Sequence, residues 1–107
     1  MYLRVSTADT KGQFTEGFAI EVKHFRFHGL TNGGLLVDFV HADDTKERVL
    51  LGMELYGDFK LGTCPERIVE LAIVEFAWPV LTKDEYHARV GKGMFLDPQR
   101  GHFVAAS

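Results

Sequence analysis

An internal disulfide is excluded at once, because the 107-residue chain holds a single cysteine, Cys64. No stretch is long enough to cross a membrane as a helix. The longest nearly uncharged run, residues 71–81, is broken by Glu75 and Pro79 and falls well short of the ~20 apolar residues such a helix needs. The opening residues Met1-Tyr2-Leu3-Arg4-Val5 lack an apolar h-region ahead of a small-residue cleavage site. These absences predict a cytoplasmic, reducing location and no membrane contact. A basic excess is missing too: the formal net charge is -3, which argues against a surface wholly committed to nucleic acid. Gly91-Lys92-Gly93 lacks the G-x-x-x-x-G-K-S/T frame of a phosphate loop and reads as a bulge or hairpin. With no repeat, low-complexity tract or linker, a single domain over residues 1–107 is expected.

What is present is a hydrophobic fraction of 46%, suited to a core burying roughly 65% of the unfolded surface. Residues 18–27 and 35–40 alternate between apolar and polar and are separated by Gly29-Leu30-Thr31-Asn32-Gly33-Gly34. The spacer accepts positive φ at little steric cost, so residues 17–40 read as a long β-hairpin. Phe18, Ile20 and Val22 share one face, whereas Phe25 and Phe27 have the opposite parity. A bulge near Lys23 or His24 is predicted, because it returns both sets to the core.

Residues 2–6 read as a short opening strand, 7–16 as a polar surface loop and 41–47 as a polar connection. Residues 48–56 read as a strand interrupted by Gly52, with a Gly57-Asp58 turn before Phe59-Lys60-Leu61-Gly62. Asp44 and Glu47 have capping-box spacing, so a helix over 45–56 is the alternative. Thr63-Cys64-Pro65-Glu66 has the form of a helix start, yet Glu70 and Glu75 would fall on opposite sides of the helix. Ile68, Val69, Ile73, Val74, Phe76 and Trp78 favour strands. The expectation is a long strand, buried along much of both faces and ending at Pro79, with a helix over 64–78 as the alternative. Thr82-Lys83-Asp84-Glu85 has capping-box spacing for one helical turn. Residues 86–90 then alternate as a strand, 94–96 resume it, Asp97-Pro98-Gln99-Arg100-Gly101 turns, and 102–106 close. The fold class expected is all-β: a small antiparallel barrel of six to eight strands with at most one or two short helical turns.

Leu61-Gly62, the run from Arg67 through Trp78-Pro79-Val80, a strand through Val90 and Phe95, and Arg100-Gly101-His102-Phe103-Val104-Ala105 together resemble the C-terminal β-barrel of the elongation factor Tu family. The resemblance covers roughly residues 61–106. It implies a six-stranded barrel and a leaning toward RNA or protein contacts. GTP hydrolysis is not implied, since the phosphate-binding loop is missing, and the closing strand carries Ala105-Ala106 where the family tends toward glycine. No site residue is carried over from it.

Five histidines raise the question of a metal. His24 and His28, on one strand, would lie about 13 Å apart, too far to share an ion. His41, Asp43 and a histidine from another strand could assemble a site, but no spacing requires it, so neither metal nor cofactor is expected. His41-Ala42-Asp43-Asp44 does place a base beside carboxylates on a predicted connection, the raw material of proton transfer. Cys64 has no evident partner histidine and reads as a half-buried thiol. Tyr86, His87, Arg89, Lys92, Arg100, His102 and Phe103 would form one basic and aromatic face if the last two strands pair. The candidate ligand-binding residues are therefore His41, Asp43, Asp44, His87, Arg89, Arg100 and His102, and no residue is assigned as catalytic.

The first functional expectation is a binding or interaction module whose partner is a protein or a second copy, joined through an apolar patch or strand edge. Phe25, Phe27, Phe39, Phe76 and Trp78 are expected in the core, and any found exposed would mark that surface. The alternative is a small enzyme or ligand-binding protein with a pocket of at least ~300 Å³ at the barrel mouth. A third is nucleic-acid binding by the C-terminal face, which the acidic balance disfavours.

Overall fold

Period-two patterning produces strands through most of the chain. The computed structural model describes residues 1–9, 11–31, 34–51 and 66–105. Their elements run β1 (Tyr2–Asp9), β2 (Phe18–Thr31), β3 (Gly34–His41), β4 (Lys46–Leu51), β5 (Glu66–Val74), β6 (Val80–Leu81), α1 (Lys83–Val90), β7 (Met94–Asp97) and β8 (His102–Ala105). The Asn32-Gly33 spacer, Cys64 and the other readings over residues 52–65, and Ala106 lie outside the described residues.

The strand order is β5-β1-β2-β3-β4-β7-β8, all antiparallel, with β6 joining β2 in parallel. The mainly-β expectation holds. Among the described residues no ladder joins β5 to β8, so the sheet is not closed into the expected barrel. The long second strand organises everything else. Its first half pairs with β1 on one side (Leu3↔Ile20) and β6 on the other (Ile20↔Leu81), and its second half pairs with β3. The register shifts between Val22 and His24, at the predicted bulge. Phe18, Ile20 and Val22 are buried before it, and Phe25 packs against the same core after it. Phe27, farther toward the hairpin end, rests edge-on against Phe25 at 4.7 Å and stays 53% exposed rather than entering the core.

The helix is the main departure from the strand reading. Thr82 accepts from the Glu85 N–H while the Glu85 carboxylate accepts from the Thr82 N–H, and the helix so capped continues through Val90 instead of stopping after one turn. Tyr86 and Val90, both buried, are four residues apart, a spacing that satisfies a strand face and a helix face equally. The acidic first turn and basic last turn favour the helix. Its buried side chains join Leu3, Val5, Phe18, Phe39 and Ile68 in one hydrophobic core. Among the described residues no helix is long and apolar enough to cross a membrane.

Two further expectations are corrected. The opening strand extends to Asp9, with Thr7 and Ala8 buried rather than in a surface loop. β5 is a strand as preferred, but it ends at Val74 and is not buried on both faces: Glu70 and Ile73 are exposed. Phe76 and Trp78 beyond it are each 90% exposed instead of core. Among the described residues β5 pairs only with β1, so one side of it lacks the cover that central strands have.

Candidate functional site

The β3–β4 connection is tight. His41 N–H donates to the Thr45 carbonyl and Asp44 N–H to the His41 carbonyl, with Asp44 at φ 71°. This closure puts Glu47 opposite Phe39, and Phe39 faces the core. Side chains alternate, so Glu47 shares the inward face with Val49 while His41 shares it with Phe39. From α1, one position after Tyr86, His87 approaches the same point. The Nε2 atoms of His41 and His87 both lie 2.7 Å from Glu47 Oε1. The other oxygen, Oε2, accepts from the Gly93 N–H at 3.1 Å.

All three side chains are buried, Glu47 completely. Burial pushes the Glu47 carboxyl up, but hydrogen bonds and charge from His41 and His87 outweigh it and hold the group below its usual range. Rings enclose the cluster: Phe39 lies 5.0 Å from His41 and Phe95 5.6 Å from His87, both edge-on. Gly93 is required here because a Cβ would sit 2.4 Å from the Arg48 carbonyl oxygen and 2.9 Å from Glu47 Oε2.

Beside this centre is an open pocket of about 360 Å³, bordered by Ile20, Glu21, His41, Asp43, Thr82 and Lys83. It occupies the junction at which the second strand exchanges β3 for β6 as its neighbour. At its rim Lys83 Nζ lies 2.7 Å from Asp43 Oδ2 and 3.1 Å from Thr45 Oγ1. Lys83 and the Thr45 hydroxyl and N–H hold Asp43 well below the usual carboxylate range.

The residues singled out from sequence are thus divided. His41 and His87 meet at Glu47, and Asp43 borders the pocket with His41. Asp44 faces outward and pairs with Lys23 at 2.7 Å. Arg89 clamps Glu66 at 2.7 Å and stacks 4.3 Å over Phe18. Arg100 is exposed beside Asp97, and His102 is exposed with Nδ1 3.2 Å from the Arg100 carbonyl. The nucleic-acid face imagined on two late strands is not assembled as expected, since Tyr86, His87 and Arg89 belong to α1 and Tyr86 is buried. Glu47 was missed. Its signal is a carboxylate on the parity of Val49, an inward position where period-two reasoning expects an apolar residue.

Other charges form structural ties. Arg48 grips Asp38 across the β3–β4 ladder at 2.7 and 2.9 Å, with His28 2.5 Å from the same carboxylate and Phe103 under the guanidinium at 4.1 Å. Glu66 accepts from Arg89 and from Thr7, and Thr7 also contacts Thr15. Comparison with protein-family models, curated proteins and solved structures finds no significant match.

Proposed function

We propose that the chain is a protein-interaction module whose docking surface is the apolar ridge following β5. The observation carrying this reading is the 90% exposure of both Phe76 and Trp78. Each such ring removes about 150 to 250 Å² from water when it finds a partner, and tryptophan is enriched among residues that dominate interfaces. Ile73 and Val80, each 41% exposed, flank the ridge along the chain. Among the described residues β5 pairs only with β1, and its other edge offers backbone groups for pairing.

Charge favours a foreign partner over a second copy. Residues 70–80 carry Glu70 and Glu75 and no cation. Two copies meeting here would oppose like charges, whereas an apolar cleft rimmed by lysine or arginine would be complementary.

Peptide-display selection against the chain tests the reading. The enriched peptides combine aromatic or aliphatic residues with Lys or Arg, and their binding shifts the emission of Trp78, the sole tryptophan, to the blue. Phe76→Ser with Trp78→Ser, which changes only exposed side chains, weakens them at least about tenfold, or about 1.4 kcal/mol. Peptides that bind the double variant equally well would refute the docking surface. A concentration-dependent dimer abolished by the same double variant would refute the foreign partner.

The pocket beside His41 supports a second reading, small-ligand binding, because its volume and the presence of Asp43 and Lys83 suit a small polar molecule. Its own check is protection of Lys83 from amine acylation by an added ligand.

A further inference from the structure

We propose that His41, Glu47 and His87 form a binding site for one first-row divalent cation, with zinc the ion best suited to the ligand set. Two imidazoles and one carboxylate are a recurrent ligand combination for zinc and its neighbours, with a remaining position left for water or a ligand. The three donors come from the end of β3, from β4 and from α1, and lie within 4.8 Å of one another.

The geometry needs little adjustment. Donors about 2.0–2.2 Å from a tetrahedral zinc lie roughly 3.3 Å from each other, and the two present nitrogen-to-oxygen separations are 2.7 Å. Opening these two contacts by well under ~1 Å brings them to that spacing, and the two imidazole nitrogens, already within 4.8 Å of each other, are the third edge that must settle to it. The Gly93 N–H already fixes one carboxylate oxygen, the orienting role that outer hydrogen bonds play around metal ligands. The three side chains are buried, with Phe39 and Phe95 packed edge-on against the imidazoles, and a divalent charge beside a buried carboxylate gains more there than in water. Of the three ligands His41 also borders the open pocket, which puts the side of approach for an ion there.

A purely structural role accounts for the same three side chains if each imidazole carries its proton on Nε2 and donates to Glu47. The two roles differ at that atom, because coordination through Nε2 moves the proton of a neutral imidazole to Nδ1. The site is also independent of the ridge at Phe76 and Trp78, so the two proposals fail separately.

The experiment is titration of the metal-stripped chain with Zn²⁺ by calorimetry, with Co²⁺ as spectroscopic probe and histidine side-chain nitrogen NMR on the same sample. The expected result is one ion per chain at micromolar or lower Kd, visible cobalt bands of a four- or five-coordinate site, and Nδ1–H tautomers at His41 and His87 on zinc addition. Glu47→Gln and His87→Asn, checked for folding by circular dichroism, weaken binding at least 100-fold, while His102→Asn leaves it unchanged. Retention of Nε2–H at both imidazoles in the wild-type chain under saturating zinc would overturn the proposal without reliance on any variant. Binding that survives Glu47→Gln and His87→Asn but disappears when His24, His28 and His102 are replaced would overturn it equally, by assigning the ion to exposed histidines.

Discussion

Gly93 illustrates how one residue can decide whether the centre exists. It makes a close approach to backbone and carboxylate that any side chain would block, and its N–H holds Glu47. Gly93→Ala forces the Arg48 carbonyl or the β7 entry to move, so a loss of about 1–3 kcal/mol is expected, in the range of overpacked interiors. Denaturant unfolding checks this, and an unchanged midpoint would mean the backbone yields freely. Glu47 teaches a related lesson. Its charge made residues 41–47 read as a polar connection, yet residue parity on β4 turns it inward, where His41 and His87 satisfy it.

The helix is where local signals competed. Alternation at residues 86–90 suggested a strand, but Thr82 and Glu85 close a reciprocal cap, and Tyr86 and Val90 fit either period. The cap settles the competition by satisfying backbone donors that a helix start leaves open. Thr82→Ala removes one half of it and is expected to cost about 0.5–2 kcal/mol. Because α1 delivers His87, the same change should also loosen the centre, seen as faster amide exchange at Tyr86 and His87. Protection equal to wild type would mean packing alone holds the first turn.

At the scale of the whole molecule, several carboxylates tie distant parts of the sheet. Burial raises the Glu66 and Asp38 carboxyls, but the guanidiniums of Arg89 and Arg48, with Thr7 and His28, hold both below their ordinary values of 4.5 and 3.8. A carboxyl held low in the folded chain adds stability that is complete above its unfolded value and is lost as pH falls through its folded one. The unfolding midpoint should therefore fall below about pH 5, and Glu66→Gln should flatten part of that fall while lowering stability at pH 7. A midpoint constant down to about pH 3 would show these ties to be neutral.

Much of the local architecture was legible in the chain: the alternation that makes β2 and β3, the bulge at Lys23, the turn at residues 97–101 and the cap at Thr82 depend on steric and hydrogen-bonding preferences within a few residues. Burial and convergence depend on neighbours distant in sequence, so only the tertiary structure decided them. It brought His87 across 40 positions to Glu47, and it left Phe76 and Trp78 in water past the end of a strand that, among the described residues, pairs only with β1. Their hydrophobicity suggested a core, but a ring is buried only where another surface covers it.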